Sequence, residues 1–152
     1  PGHPRSAPRR ATEPACILIV EDDPAQVRIA TRVLQKAGYQ VVQASDGIKA
    51  VDIVRRALLR SAPPVVDGQP VRTINLVILD LVLHGMPGEK VLQKLRGISA
   101  DIPVIAATGL DAGSRLTEIL KKGATAIVAK PFENKVLLDA VALALQKAGK
   151  ES

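Results

Sequence analysis

Cys16-Ile17-Leu18-Ile19-Val20 runs straight into Glu21-Asp22-Asp23, and Leu76-Val77-Ile78-Leu79 runs straight into Asp80. Each is a continuous apolar stretch that stops at an acid. Unbroken runs of this length suit strands covered on both faces of a parallel sheet, since a half-exposed strand would alternate apolar with polar. Val41–Ala44, Pro103–Ala107 and Ala126–Ala129 repeat the pattern.

Helical spacing fills the intervals. Ala30, Val33, Leu34 and Ala37 recur at i, i+3, i+4, i+7, with Asp23 as cap, Pro24 at the first helical position and Gly38 as the stop. Ala50, Ile53, Val54, Ala57 and Leu58 make a second stripe after Asp46-Gly47, and Val91, Leu92 and Leu95 a third that ends at Gly97. Leu116, Ile119 and Leu120 form a fourth, preceded by Asp111 and closed by Lys121-Lys122-Gly123; Leu137, Ala140, Val141, Ala144 and Leu145 form the fifth. Five βα units with right-handed crossovers predict an α/β fold with a doubly wound parallel sheet.

The remaining segments are two. Ser61 to Thr73 contains Pro63, Pro64, Gly68 and Pro70 and reads as a long surface loop inserted between the second helix and the third strand. Residues 1–15 carry Arg5, Arg9 and Arg10 among four prolines and read as a disordered basic tail, leaving a domain over 16–148. A start at Pro1 fits either removal of an initiator methionine or a piece of a longer chain.

The chain has 152 residues, 47% hydrophobic and 24% charged, a globular composition. At this size a domain buries roughly 68–70% of its unfolded surface, so disulfide staples are unnecessary. The single Cys16 excludes an internal disulfide framework, and two distant histidines exclude a Cys/His zinc site; a cytoplasmic protein is expected. No apolar run approaches the roughly 18 residues of a bilayer span. The net charge of +6 invites nucleic acid as a partner, but Tyr39 and Phe132 are the only aromatics and the basic residues are scattered over helices. Nucleic acid is therefore not expected.

Ligands of open α/β sheets bind beyond the carboxyl ends of the strands, so the residues following each run are the informative ones. They are Glu21, Asp22 and Asp23 after the first strand, Asp80 after the third, Thr108 after the fourth and Lys130-Pro131 after the fifth. Crowded carboxylates need a cation between them, and hard oxygen ligands favour Mg2+. A carboxylate beside that ion can attack phosphorus, while a lysine and a hydroxyl share the phosphoryl charge. Asp23 taken alone reads as a helix cap.

These blocks, together with Ala106-Ala107-Thr108-Gly109 and Lys130-Pro131-Phe132, resemble the signatures of two-component response-regulator receiver domains, the chemotaxis-type, flavodoxin-like fold. The resemblance runs from about Cys16 to Lys147. It implies a sheet order of 2-1-3-4-5, which sets the first and third strands side by side. It further implies that Asp80 accepts a phosphoryl group from a histidine kinase or a histidine phosphotransfer protein. Asp22, Glu21 (through water), Asp80 and the backbone carbonyl of Val82 would hold Mg2+; Thr108 would bond the phosphoryl group and Lys130 would pair with it. Such a chain is a signalling switch rather than an enzyme. Its output is expected through the face of the fourth helix and fifth strand, or through a domain outside this sequence; a homodimer is also allowed.

Three positions depart from the family's pattern. His84 stands where a proline is usual, four residues after the acceptor, and reads as a loop histidine. Ile127 replaces an often aromatic switch residue, so an inward-swinging ring is not available. Val82 and Leu110 are apolar where water is gated, which predicts slow self-dephosphorylation.

A haloacid-dehalogenase-like phosphatase would need a second aspartate at position 82, where valine stands. A receiver-like module that binds partners without phosphate is the alternative, and the retention of Glu21, Asp22, Asp80, Thr108 and Lys130 speaks against it.

Overall fold

The run beginning at Cys16 forms β1 (Cys16–Val20) of a computed structural model that describes residues 14–59, 63–66, 68–71, 73–83, 85–109 and 115–151. It pairs in parallel with β2 (Gln40–Ala44) on one side. Two short strands, β3 (Val65–Val66) and β4 (Gln69–Pro70), come next in the chain. On its other side β1 pairs with β5 (Leu76–Asp80), followed outward by β6 (Val104–Thr108) and β7 (Ala126–Ala129). The five-stranded sheet runs β2-β1-β5-β6-β7 with every pairing parallel, which is the 2-1-3-4-5 order expected from sequence.

Period-two alternation divides the core into two layers. Ile17, Ile19, Leu76, Ile78 and Ile105 face α1 (Pro24–Lys36) and α5 (Asn134–Glu151), which contribute Ala30, Leu34, Leu137 and Val141. Leu18, Val20, Val77, Leu79 and Val104 face the other way, onto α2 (Gly47–Leu59), α3 (Gly88–Ile98) and α4 (Leu116–Lys121). All five residues of β1, β5 and β6 are buried. The edge strands are not: β2 mixes exposed with buried positions, and only Val128 of β7 is buried. A strand with one neighbour is covered by fewer helices, so continuous apolar sequence overstates its burial.

The first helix is capped as its sequence predicts. Asp23 Oδ1 accepts from the Ala25 backbone N–H at 3.0 Å and Pro24 takes the first position. Its buried stripe is Val27, Ala30 and Leu34; Ala37, expected on that stripe, is instead an exposed C-cap one residue beyond the helix. The third helix runs through Ile98, one residue past Gly97.

The inserted segment corrects the reading as a plain loop. Val65 pairs with Pro70 and Val66 with Gln69, antiparallel, and Gly68 turns the hairpin at φ 77°. The Val71 N–H donates to the Pro64 carbonyl at 2.7 Å, and Val71 is buried in the α2–α3 layer of the core. A partial signal is in the sequence: Asp67-Gly68 follows the β-branched pair Val65-Val66, and Asp-Gly is a favoured hairpin-turn dipeptide. At the other end, Ala15 is buried and its carbonyl accepts from the Gln40 N–H at 2.9 Å, although the sequence assigns it to the tail. The rest of that tail up to residue 13, His84, and Leu110 to Ser114 with the predicted cap Asp111 lie outside the described residues.

Candidate functional site

The sheet order reverses between β1 and β5, and the site lies beyond the carboxyl ends of those two strands. Register alone brings it together. Val20 pairs with Leu79, so Glu21 and Asp22 emerge beside Asp80, while Asp80 pairs with Ala107 and leaves Thr108 one residue further along the next strand. Thr108 in turn pairs with Ala129, and the Lys130 N–H donates to the Thr108 carbonyl at 2.7 Å.

Lys130 bridges the two buried acids. Its Nζ lies 2.7 Å from Glu21 Oε1 and 3.2 Å from Asp80 Oδ2. The second oxygen of each acid is also occupied: Glu21 Oε2 accepts from the Asp23 N–H at 3.2 Å, and Asp80 Oδ1 from the Val82 N–H at 3.0 Å. Glu21, Asp80 and Thr108 are all buried polar residues, and none leaves a buried side-chain atom unpaired among the described residues.

The electrostatics follow from this packing. Burial raises the Glu21 carboxyl above its ordinary range; the Lys130 hydrogen bond opposes that rise and neighbouring Asp80 adds to it. For Lys130, burial disfavours the ammonium, but the hydrogen bond to Glu21 and the charge of Asp80 outweigh it and the group is raised. Exposed Asp23 is held below its usual value by the Gln26 side chain and the Ala25 N–H.

Each of Glu21, Asp22 and Asp80 offers a carboxylate oxygen, and these oxygens lie within 4.8 Å of one another. Three carboxylates against one ammonium leave an excess of negative charge, and an all-oxygen donor set fits a hard divalent cation. The acids border a cleft of about 520 Å³, together with Val82, Gly109 and Lys130. The Val82 side chain is 73% exposed there.

The sites expected from sequence therefore fall into one place, with Thr108 buried at its margin. Sequence reasoning missed two contributors. Gln26 holds Asp23 Oδ2 at 3.1 Å and lines the cleft. Gly88 sits so close to the acceptor strand that a Cβ there would lie 2.7 Å from the Asp80 carbonyl oxygen and 2.4 Å from Leu81 Cα. The Gly after Pro87 is the available hint, since conspicuous glycines often mark close backbone approach.

A family model of the response regulator receiver domain matches residues 17–142. Sporulation initiation phosphotransferase F of Bacillus subtilis is 33% identical over 125 residues, 82% of this chain and 89% of that protein. The DNA-binding dual master transcriptional regulator RpaA of Synechocystis is 35% identical over 133 residues, 86% of this chain but 49% of that protein. Among solved structures, a CheY-like receiver domain protein from Methanospirillum hungatei superposes with a TM-score of 0.77 at 24% identity, covering 91% of this chain and 99% of that one. The chain belongs to the response-regulator receiver-domain family, the phosphorylation-dependent signalling switches of two-component systems. It spans about half the length of RpaA, and the DNA binding in that name is RpaA's. Among the described residues no helix is long and apolar enough to cross a membrane.

Proposed function

We propose that Asp80 is the phospho-acceptor of this receiver and that the donor is a phosphohistidine on a histidine kinase or histidine phosphotransfer protein. The observation that carries the reading is the placement of a buried aspartate at a strand end, 3.2 Å from Lys130 Nζ and clustered with Glu21 and Asp22. An Asp80 oxygen attacks phosphorus in line with the leaving imidazole; the P–N bond breaks and its electron pair returns to the ring nitrogen.

Asp22, Asp80 and the Val82 carbonyl would hold Mg2+ directly. Glu21, which receives the shorter of the two Lys130 contacts, would hold it through water, the role the family resemblance implies. When bound, the ion supplies neutralisation of the phosphoryl oxygens. Lys130 pairs with the transferred group and Thr108 donates its hydroxyl to it. Return to the resting state needs water to attack the acyl phosphate and break its P–O bond. Val82 presents only methyl groups at that cleft and cannot orient the water, so loss of phosphate without a partner is slow.

The donor has an apolar seat beside the cleft. A cavity of about 480 Å³ lined by Ile29, Pro131 and Phe132 shares Gln26 and Lys130 with the acidic site. Output goes through the α4 and β7 face. Ile127 packs there against the core without an aromatic ring.

The test is intact-mass spectrometry after incubation with Mg2+ and acetyl phosphate. One phosphoryl adduct is expected, lost in Asp80→Ala and without Mg2+. No adduct in the wild type would remove Asp80 from the chemistry and leave a phosphate-independent binding module.

A further inference from the structure

We infer that Glu89 is the positioning residue that ties α4 to the acceptor strand and transmits a change at Asp80 to it; the transmission rests on the acceptor reading above. Glu89 is the second residue of α3, mostly buried with a side-chain exposure of 18%, and its carboxylate serves two cations. Oε2 lies 2.9 Å from Lys122 Nζ at the end of α4, and Oε1 pairs with Arg115 immediately before α4. One side chain thus grips both ends of the helix.

Two further features make that grip consequential. The first turn of α3 has no slack against the acceptor: Gly88 lies where even a methyl group would strike the Asp80 carbonyl and Leu81, and its N–H reaches the Leu81 carbonyl at 3.3 Å. Close-packed contacts of this kind pass on displacements instead of absorbing them. Any shift of the Asp80–Leu81 backbone therefore moves Gly88, and Glu89 with it.

The second feature is how little else holds α4. Ile119 is its single buried side chain. Below it the chain is pinned by backbone contacts: Arg96 Nε donates to the Gly123 carbonyl at 2.8 Å, while its Nη1 donates to the Ser99 and Ile102 carbonyls at 3.2 and 2.6 Å. Gly123 has a φ of 114°, and a Cβ there would run into the Arg96 side chain, so that end behaves as a pivot. A fixed lower end and an ionic upper tie let α4 swing when Glu89 moves. With Ile127 in place of an aromatic ring, this supplies a route through charge.

Hydrogen exchange by mass spectrometry over residues 116–123 of the full chain tests it. In the unphosphorylated Glu89→Gln variant, exchange there is expected to speed about three- to tenfold, as for losing partly buried charged pairs, with β1 and β5 unchanged. Lys122→Gln should act in the same direction, and the double variant should add little beyond Glu89→Gln. Phosphorylation of the wild type should loosen the same amides, and phosphorylation of Glu89→Gln should change them less than about twofold. Unchanged exchange in Glu89→Gln, or a full phosphorylation response in that variant, would overturn the inference. If the wild type takes no phosphoryl group, the transmission fails with the acceptor reading, while the unphosphorylated pair still judges the tie.

Discussion

Helices α3 and α4 are neighbours on one layer of the sheet, yet they are held by different forces. The third helix buries Val91, Leu92 and Leu95 completely and presses Gly88 onto the acceptor strand. The fourth buries Ile119 and otherwise depends on the Glu89 carboxylate and the Arg96 latch. Apolar burial is insensitive to small changes of charge, whereas ion pairs rearrange whenever a competing charge arrives. The contrast separates the part of the layer that fixes the acceptor from the part that can respond to it.

The largest effect should come from breaking the apolar side. Leu92→Ala is expected to cost about 2–5 kcal/mol, the usual toll of deleting a fully buried leucine. Urea unfolding should show it as a lowered midpoint at unchanged slope. A cost no larger than that of a surface change would mean α3 is not the anchor.

Gly88→Ala probes the close approach itself. Forcing a Cβ against backbone atoms should cost about 1–3 kcal/mol and slow adduct formation with acetyl phosphate, because the acceptor carbonyl must shift. Normal phosphorylation kinetics in a destabilised Gly88→Ala protein would show that α3 packs on the strand without positioning Asp80.

The smallest effect is ionic. Raising salt from about 0.1 to about 1 M shortens the screening length from about 10 to about 3 Å. Exchange across α4 should quicken by a factor of about two, consistent with pairs worth under about 1 kcal/mol, while α3 stays as it was. Equal responses in both helices would erase the distinction.

The sequence is most legible where burial is complete. The runs ending at Glu21, Asp80 and Thr108 marked strands and site together, because full burial demands continuous apolar residues and any charge at their ends stands out; the sheet order came only with the resemblance to receiver domains. Legibility fell where burial is partial. The edge strands are only partly buried, the α1 stripe is shifted toward Val27, and the Val65–Pro70 hairpin was hidden among prolines despite the Asp-Gly in its sequence. Glu89 was invisible for a different reason. Charged residues are common on every helix, and only the folded chain shows that Arg115 and Lys122, 26 and 33 positions away, meet on one carboxylate.

The hairpin has a practical corollary. It joins the carboxyl end of α2 to the amino end of β5, while the acceptor chemistry occupies the opposite rim, beyond the carboxyl ends of the strands. Its base is fastened by Val71 in the core and by the Val71–Pro64 hydrogen bond, and Val65 points into solvent. A protein engineer wanting to mount a fluorophore or graft a peptide epitope would find at the Gly68 turn a handle on the rim opposite the phosphoryl chemistry.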